Sequence, residues 1–394
     1  MSDTRHRTTD RFFIGMLVLI LAVSLVGLAI DLVVLGRSRS SQVTTTETST
    51  RAEPVRLGPE VDNRDGFWRF DDPDNLGLSP KGVDAYLELC RRTGADAVLI
   101  ARGHTIAGEF YSHRYTGEQY AMSSTKSVTG LLVGIAQDAG YLTVTDRVGE
   151  YLPEWNGGPR ERVTIEHLLT QSSGLLQRSG DEVPVGAVSE KNEFVRGLEP
   201  KVEPGTRFSY SNEGVQLLSP VLESAVGTPV DRFAEERLFR PIGMASSALH
   251  HSGADRDVWT YADMRTTPRD FARLGVLVMQ GGTWQGERVV SSSYLDAAFS
   301  PSPLQENYGY LWWRLVGELP GVATLGYLST DMYVMTEHDL IVVRMQAPRT
   351  QYTGEAEDAP YSQRLAALTL GAVVGEYDAD AAWQEVTAIP DRAQ

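Results

Sequence analysis

The sequence predicts an α/β (α+β) domain. An antiparallel sheet, built from the N-terminal and C-terminal parts of the folded region and flanked by helices, carries a mostly helical inserted lobe, and one N-terminal transmembrane helix stands ahead of it. Three observations lead there. Paired apolar runs separated by short polar turns occur at 97–111 and again at 332–345, as hairpins require. Between them the apolar residues recur with helical spacing. Near the N-terminus lies a long run without charge. The length of 394 residues fits one large domain or two intimate ones, and 42% hydrophobic against 22% charged residues leaves ample material for a core. A net charge of −16 carries no footprint for nucleic acid. A single cysteine, Cys90, excludes an internal disulfide and a thiolate metal cluster. Of the 36 basic residues only Lys81, Lys126, Lys191 and Lys201 are lysines, so lysine chemistry must come from that set.

Taken in order, residues 1–11 read as a short tail, 12–35 as a transmembrane anchor, 36–60 as a Ser/Thr-rich linker and 61–394 as the folded domain. Phe12 to Ile30 is a 19-residue run with no charge and no proline; at about 1.5 Å per residue it reaches roughly 30 Å, the thickness of a hydrocarbon core. It leaves through Gly36-Arg37-Ser38-Arg39 without a small-residue cleavage pattern, which favours an uncleaved anchor over a signal peptide. Arg37 and Arg39 nearly balance Arg5, Arg7 and Arg11, so charge does not decide the orientation. The linker, with Thr44-Thr45-Thr46-Glu47-Thr48-Ser49-Thr50, has almost nothing to bury.

Ser79-Pro80 caps a helix carrying Val83, Tyr86, Leu87 and Cys90 on one face and ending at Gly94. Cys90 is thus a packing residue. Ala97–Ala101 and Thr105–Tyr111 form a hairpin around Arg102-Gly103-His104, and Met332–Met335 and Leu340–Met345 form another around Glu337-His338-Asp339. A helix over 362–374 follows, and Thr267-Pro268 caps one that runs to Gly281-Gly282. Strands at the two ends pair in one sheet, and the cleft between sheet and insert is the expected site.

Two short motifs carry chemistry. Ser123-Ser124-Thr125-Lys126 is S-x-x-K at the head of an apolar helical stretch. Positions i and i+3 share a helix face, which sets the Ser123 hydroxyl beside the Lys126 amine. A helix N-terminus disfavours a protonated lysine and offers N–H groups to an oxyanion; a neutral lysine can take a serine proton. Tyr210-Ser211-Asn212 is Y-x-N ahead of another helical stretch: a phenol near a lysine can relay a proton, and an amide can bridge lysine and substrate. Taken singly, each motif reads equally as a capping serine with a surface lysine, or as a packed tyrosine followed by a capping asparagine. Their order and spacing carry the weight.

Together they resemble the serine β-lactamase and penicillin-binding protein-like family, in its class C, esterase and aminohexanoate-dimer-hydrolase-like branch. The resemblance covers about residues 75–375. It extends to Val163-Thr164-Ile165-Glu166-His167-Leu168-Leu169-Thr170-Gln171-Ser172-Ser173-Gly174-Leu175, to the Pro241-Ile242-Gly243-Met244 turn, and to Tyr308-Gly309-Tyr310-Leu311-Trp312-Trp313, similar to a family strand. It implies a β-lactamase/transpeptidase-like fold, Ser123 as acylated nucleophile, Lys126 as its base, Tyr210 as acid/base and Asn212 as orienting group. The family's third motif, K-T-G or H-T-G on the strand lining the cleft, is matched by Thr324-Leu325-Gly326. By the same resemblance the backbone N–H groups of Ser123 and Tyr327 form the oxyanion hole. Thr324 replaces the cation, which weakens recognition of carboxylate-bearing substrates such as β-lactams and peptidoglycan stems relative to other esters and amides, and Leu328, where glycine is common, narrows the cleft.

The remaining features read blandly. His250-His251 reads as a loop, His167 as a packed or capping histidine, Gly281–Gly286 as a hairpin turn, and Trp312 and Trp313 as core and cleft wall. No G-x-S-x-G occurs. The expectation is a membrane-anchored serine hydrolase acting on a small ester or amide, without metal or cofactor and without nucleic acid as partner. Its domain is placed outside the cytoplasm by family analogy. The alternatives are an inactive family member binding a cell-envelope ligand, and a D-Ala-D-Ala carboxypeptidase or β-lactamase.

Overall fold

A computed structural model describes residues 65–178, 182–251, 257–317, 319–348, 361 and 363–389. The expected anchor at 12–35 and the linker at 36–60 lie outside the described residues. Among the described residues no helix is long and apolar enough to cross a membrane.

The predicted hairpins are present. Strand β1 is Arg69–Phe70, β2 is Ala97–Arg102 and β3 is Thr105–Tyr111; short ribbons pair β4, Gln119–Tyr120, with β5, Arg265–Thr266, and β6, Thr283–Trp284, with β7, Glu287–Arg288. The C-terminal strands are β8, Trp313–Leu315; β9, Gly321–Thr324; β10, Asp331–Met335; and β11, Leu340–Met345. Seven of these form one sheet in the order β1-β3-β2-β11-β10-β9-β8. The central pair is β2 with β11, antiparallel from Leu340 opposite Arg102 to Met345 opposite Ala97, so the two ends of the domain meet in one sheet as expected. The sheet is nevertheless mixed, not antiparallel throughout, because β1 runs parallel to β3. A two-residue edge strand has no periodicity to announce it.

Both faces of the sheet are covered, which is why β2 and β11 are continuous apolar runs. On one face lies α1, Pro80–Arg92, whose Ser79 cap accepts from the Gly82 N–H at 3.1 Å. A Cβ at Gly82 would lie 2.3 Å from the Ala372 carbonyl oxygen, so glycine allows α1 to seat against the helix Gln363–Val374. On the other face lies the helix Pro268–Met279, capped by Thr267; its Gly275 packs on Ile341. The inserted lobe centres on α2, Thr125–Asp138, buried from Thr125 to Ala136. Around it stand the short helices α3, Ile165–Leu169; α4, Lys191–Arg196; α5, Asn212–Gln216; and α6, Leu218–Val226. Arg269, 2% exposed at its side chain, forks onto the Glu109 carboxylate of β3 at 2.8 and 3.0 Å, a buried ion pair joining lobe-side helix and sheet.

The Tyr308–Trp313 segment, expected to be a strand, is irregular up to Trp312; β8 begins only at Trp313. Its groups point in too many directions for a ladder. Gly309 abuts the Ala298 carbonyl, where a Cβ would come within 1.9 Å. The Tyr310 hydroxyl donates to Glu166 at 2.6 Å, the Leu311 N–H to the Leu169 carbonyl at 3.0 Å, and the Leu311 carbonyl accepts from Ser127 Oγ at 2.7 Å. The segment therefore ties α3 to α2, and Leu311 adopts φ 61° to do so.

Candidate active site

Ser123 does not open α2. It lies in a single 3-10 turn, Met122–Ser124, and Lys126 sits in the first turn of the helix that follows. Met122 has φ 49°, a left-handed conformation rare for a non-glycine residue. Thr125 holds the turn, donating from Oγ1 to the Met122 carbonyl at 2.7 Å and accepting from the Met264 N–H at 2.9 Å. The expected juxtaposition follows: Lys126 Nζ donates to Ser123 Oγ at 3.0 Å.

Lys126 also donates to the Tyr261 carbonyl at 2.8 Å and is only 2% exposed. Burial penalises its charged form and brings its pKa down to about 7, against the opposing pull of the Glu213 and Asp263 carboxylates. An amine that is half neutral near pH 7 and in hydrogen-bond reach of a hydroxyl can act as its base.

Tyr210 completes the cluster. Its ring centre lies 4.9 Å from Lys126 Nζ. Burial pushes the phenol well above its ordinary range, and a hydrogen bond with Ser123 opposes that rise, so the hydroxyl is protonated at neutral pH. Trp313 stacks on the ring at 6.1 Å and Tyr308 meets it edge-on at 6.4 Å. Asn212 is the first residue of α5, and the cap of that helix is Ser211, which accepts from the Gly214 N–H at 3.1 Å. The Asn212 Oδ1 atom is buried without a hydrogen-bond partner. An acceptor aimed into a protein interior without a partner is costly and is available to a donor that arrives.

The segment 163–175 acquires a physical role here. Gln171, at φ 56°, accepts from the Ser209 N–H through its carbonyl at 2.8 Å and from the Ser211 N–H through Oε1 at 2.9 Å. It fixes the backbone on both sides of Tyr210. His167 belongs to the cap of α3, with Thr164 Oγ1 accepting from the His167 N–H and the Thr164 N–H donating to Nδ1, both at 3.2 Å.

The Thr324-Leu325-Gly326 segment reaches the same place from the sheet. Thr324 ends β9, is buried, and spends its Oγ1 on the Met332 N–H at 3.2 Å, so its side chain belongs to the sheet. Gly326 presses on the residues that lead to Ser123: a Cβ there would lie 2.8 Å from the Ala121 carbonyl and 3.2 Å from Met122 Cβ. Ser124 Oγ donates to the Thr330 carbonyl at 2.7 Å. These contacts bring the Tyr327 turn beside the Ser123 turn.

That second turn is built from backbone and held from behind. Leu328 and Ser329 have φ 59° and 54°, and Arg344 Nη1 donates to both of their carbonyls, at 2.6 and 2.9 Å. Arg344 is 1% exposed; its Nη2 donates to the Thr93 carbonyl at 3.1 Å and its guanidinium lies 4.5 Å from the Tyr361 ring centre. Asp331 accepts from the Gly326 N–H at 3.1 Å and from the Tyr333 hydroxyl at 3.1 Å, and burial pushes its carboxyl up to about 7. Sequence reasoning missed Arg344, Asp331, Gln171, Glu213 and Tyr261. Arg344 and Asp331 had a visible signal: each is a charge in a strand otherwise apolar and buried.

Other readings resolve plainly. Cys90 is buried and its thiol is pushed up to about 12 by burial, which keeps it protonated and unreactive. His250 and His251 lie in an irregular segment, and among the described residues no group of three His, Cys, Asp or Glu is placed to hold a metal. Gly281–Gly286 ends in the β6–β7 hairpin. Two surface cavities of about 440 and 570 Å³ include neither Ser123 nor Lys126 in their linings, so the site is identified by the chemistry of its side chains.

The sequence profile described as Beta-lactamase matches residues 83–368, more than half of the chain. The 6-aminohexanoate-dimer hydrolase of Paenarthrobacter ureafaciens is 22% identical over 298 residues, covering 65% of this chain and 73% of that protein. Penicillin-binding protein 4* of Bacillus subtilis (strain 168) is 30% identical over 137 residues, covering 33% of this chain and only 30% of that protein. Among solved structures, the octameric penicillin-binding protein homologue from Pyrococcus abyssi superposes with a TM-score of 0.58 at 19% identity, covering 75% of this chain and 77% of that one. Chymotrypsin-like and nucleophile-elbow hydrolases place their serines on other scaffolds; here the serine, its lysine and its tyrosine converge between a mixed sheet and a helical lobe.

Proposed function

The chain belongs to the Beta-lactamase family of serine hydrolases, and on that premise we propose that it cleaves a small ester or amide through an acyl-enzyme on Ser123. The observation that carries this is the buried Lys126 amine, 3.0 Å from Ser123 Oγ and with its pKa lowered to about 7. In the neutral form Lys126 takes the Ser123 proton as Oγ attacks the substrate carbonyl. The resulting oxyanion is received by the N–H groups of Ser123 and Tyr327. Lys126 and Tyr210 then deliver the proton to the leaving alcohol or amine as the carbon–heteroatom bond breaks. Water attacks the acyl-enzyme and gives its proton back along the same pair, restoring Ser123 and releasing the acid. Asn212, through its unpartnered Oδ1, orients a donor of the substrate.

Other esters and amides are favoured over β-lactams and D-alanyl peptides because Thr324, its Oγ1 spent on the Met332 N–H, offers no cation on β9 to a substrate carboxylate. The same replacement is what favours the second reading, an inactive member that binds an envelope ligand; the intact Ser123–Lys126–Tyr210 contacts weigh against it. The uncharged run Phe12–Ile30 supports a single-pass anchor through 12–35 followed by a tether through 36–60, and family analogy alone puts the catalytic domain outside the cytoplasm. Labelling with a fluorophosphonate probe tests the reading: it should modify the protein and not the Ser123→Ala variant. A labelled penicillin offered in parallel should acylate weakly or not at all. Strong acylation by it would move the function to the carboxypeptidase reading, and absence of labelling by either probe would leave the inactive binder.

A further inference from the structure

Just ahead of Ser123 in the chain, Tyr120 of β4 pairs with Arg265 of β5, and the Arg265 guanidinium lies 5.3 Å from the centre of the Tyr120 ring. Tyr120 is three residues before Ser123, so their Cα atoms are within about 11 Å of each other. From Tyr120 a strip of rings leads away and returns to the catalytic lysine. Tyr120 meets His250 edge-on at 5.8 Å, His250 meets Trp259 at 6.1 Å, and Trp259 stacks on Tyr261 at 5.7 Å and 11°. The Tyr261 carbonyl accepts from Lys126 Nζ at 2.8 Å. Both ends of the strip are therefore fixed to the Ser123–Lys126 pair.

Its exposure suits a ligand. Tyr120, His250 and Trp259 are half-buried and Arg265 is exposed. Arg265 forms no ion pair among the described residues, although acids outnumber bases in this chain by 52 to 36. His250 is held below its usual pKa by burial, by His251 and by Arg265. The buried Lys191 amine lies 4.1 Å from the Trp259 ring centre, so Arg265 supplies the strip's exposed charge and the rings its apolar surface. Guanidinium on an aromatic face is also a geometry that receives a planar carboxylate at its edge while the ring takes an apolar body.

We propose that this strip is a substrate subsite selecting esters or amides whose aromatic or apolar body ends in a carboxylate, with the carboxylate on Arg265 and the body against Tyr120 and Trp259. The carboxylate contact that Thr324 does not offer on β9 is thus made by Arg265. The catalytic half of this statement rests on the serine-hydrolase reading; the binding half does not.

Two matched ester pairs test it: 4-nitrophenyl butyrate against mono-4-nitrophenyl glutarate, and phenyl acetate against 4-acetoxybenzoate. In Arg265→Gln the kcat/KM of at least one carboxylated ester should fall threefold or more, through KM, while its neutral partner stays within twofold. A fall common to both members, or no change in either pair, overturns the proposal. A binding arm separates the two readings: 4-nitrobenzoate is titrated into Ser123→Ala and Ser123→Ala/Arg265→Gln with tryptophan fluorescence as readout. A Kd raised threefold or more by the second change, with no ester hydrolysed by the parent protein, keeps the subsite and sinks the hydrolase. Where no ester is turned over, equal Kd values or no binding overturn the subsite.

Discussion

The two turns that meet at the candidate site are built on opposite principles. The Ser123 turn places side chains: the hydroxyl of Ser123, the amine of Lys126 and, from across the cleft, the phenol of Tyr210. The Tyr327 turn places backbone. The Thr324 side chain that leads into it is spent on the Met332 N–H, and its shape is imposed by Arg344, Asp331 and Ser124 from outside. The difference teaches where sequence is free to drift. A turn that supplies a reacting atom must keep the residue that bears it, whereas a turn that supplies an N–H group must keep only its conformation. That is a physical reason why the third motif can lose its cation while the first two stay intact.

Breaking the side-chain turn should have the largest effect. Lys126→Met removes the base and should lower kcat/KM by about 10²–10⁴-fold. In the parent protein kcat/KM should rise with pH through about 7 as Lys126 sheds its proton, and then level; Lys126→Met should abolish that limb. The stability linkage has the same direction. The folded-state pKa is depressed below the unfolded value, so the unfolded chain binds the extra proton between about 7 and 10.5 and stability rises with pH across that window. Urea unfolding at pH 6 and pH 9 should show the rise in the parent and not in Lys126→Met.

Breaking the backbone turn should cost less. Arg344→Met leaves the Leu328, Ser329 and Thr93 carbonyls without their donor, at a cost of about 2–4 kcal/mol in stability. It should lower kcat by about 10–100-fold with KM little changed, because a loosened turn fails only when the oxyanion forms. Arg344→Lys, able to reach one carbonyl but not fork onto two, should recover part of the rate. A KM defect with kcat intact would refute the brace. The smallest effect belongs to the surface of that turn. Leu328→Gly accepts φ 59° without strain and should change stability by less than about 1 kcal/mol. It should also raise kcat/KM for a bulky ester about threefold over a small one; equal responses would show that Leu328 does not narrow the cleft.

The same contrast explains what could be read in the sequence. Ser123, Lys126 and Tyr210 were legible because proton transfer demands those residue types at helical and motif spacing. The two hairpins and the cap at Ser79-Pro80 were legible because alternation, apolar runs and caps are local signals. What was not legible is carried by main chain. The Tyr261 carbonyl under Lys126, the Gln171 carbonyl beneath Tyr210 and the irregular path of Tyr308–Trp312 depend on backbone groups that every residue possesses. The 3-10 turn at Met122–Ser124 escaped because one strained residue, Met122, shifts the helix start to Thr125. The parallel edge strand Arg69–Phe70 is too short for any period. Arg344 and Asp331 lie between these cases: their charges interrupt buried strands, a signal that marks a constrained position without naming its task.

Intact-mass and peptide analysis of the protein after fluorophosphonate treatment tests the central claim most directly. One adduct on the peptide containing Ser123, formed faster as pH rises through about 7 and absent from Ser123→Ala, is the predicted result. No adduct, or an adduct of equal extent in Ser123→Ala, would contradict it.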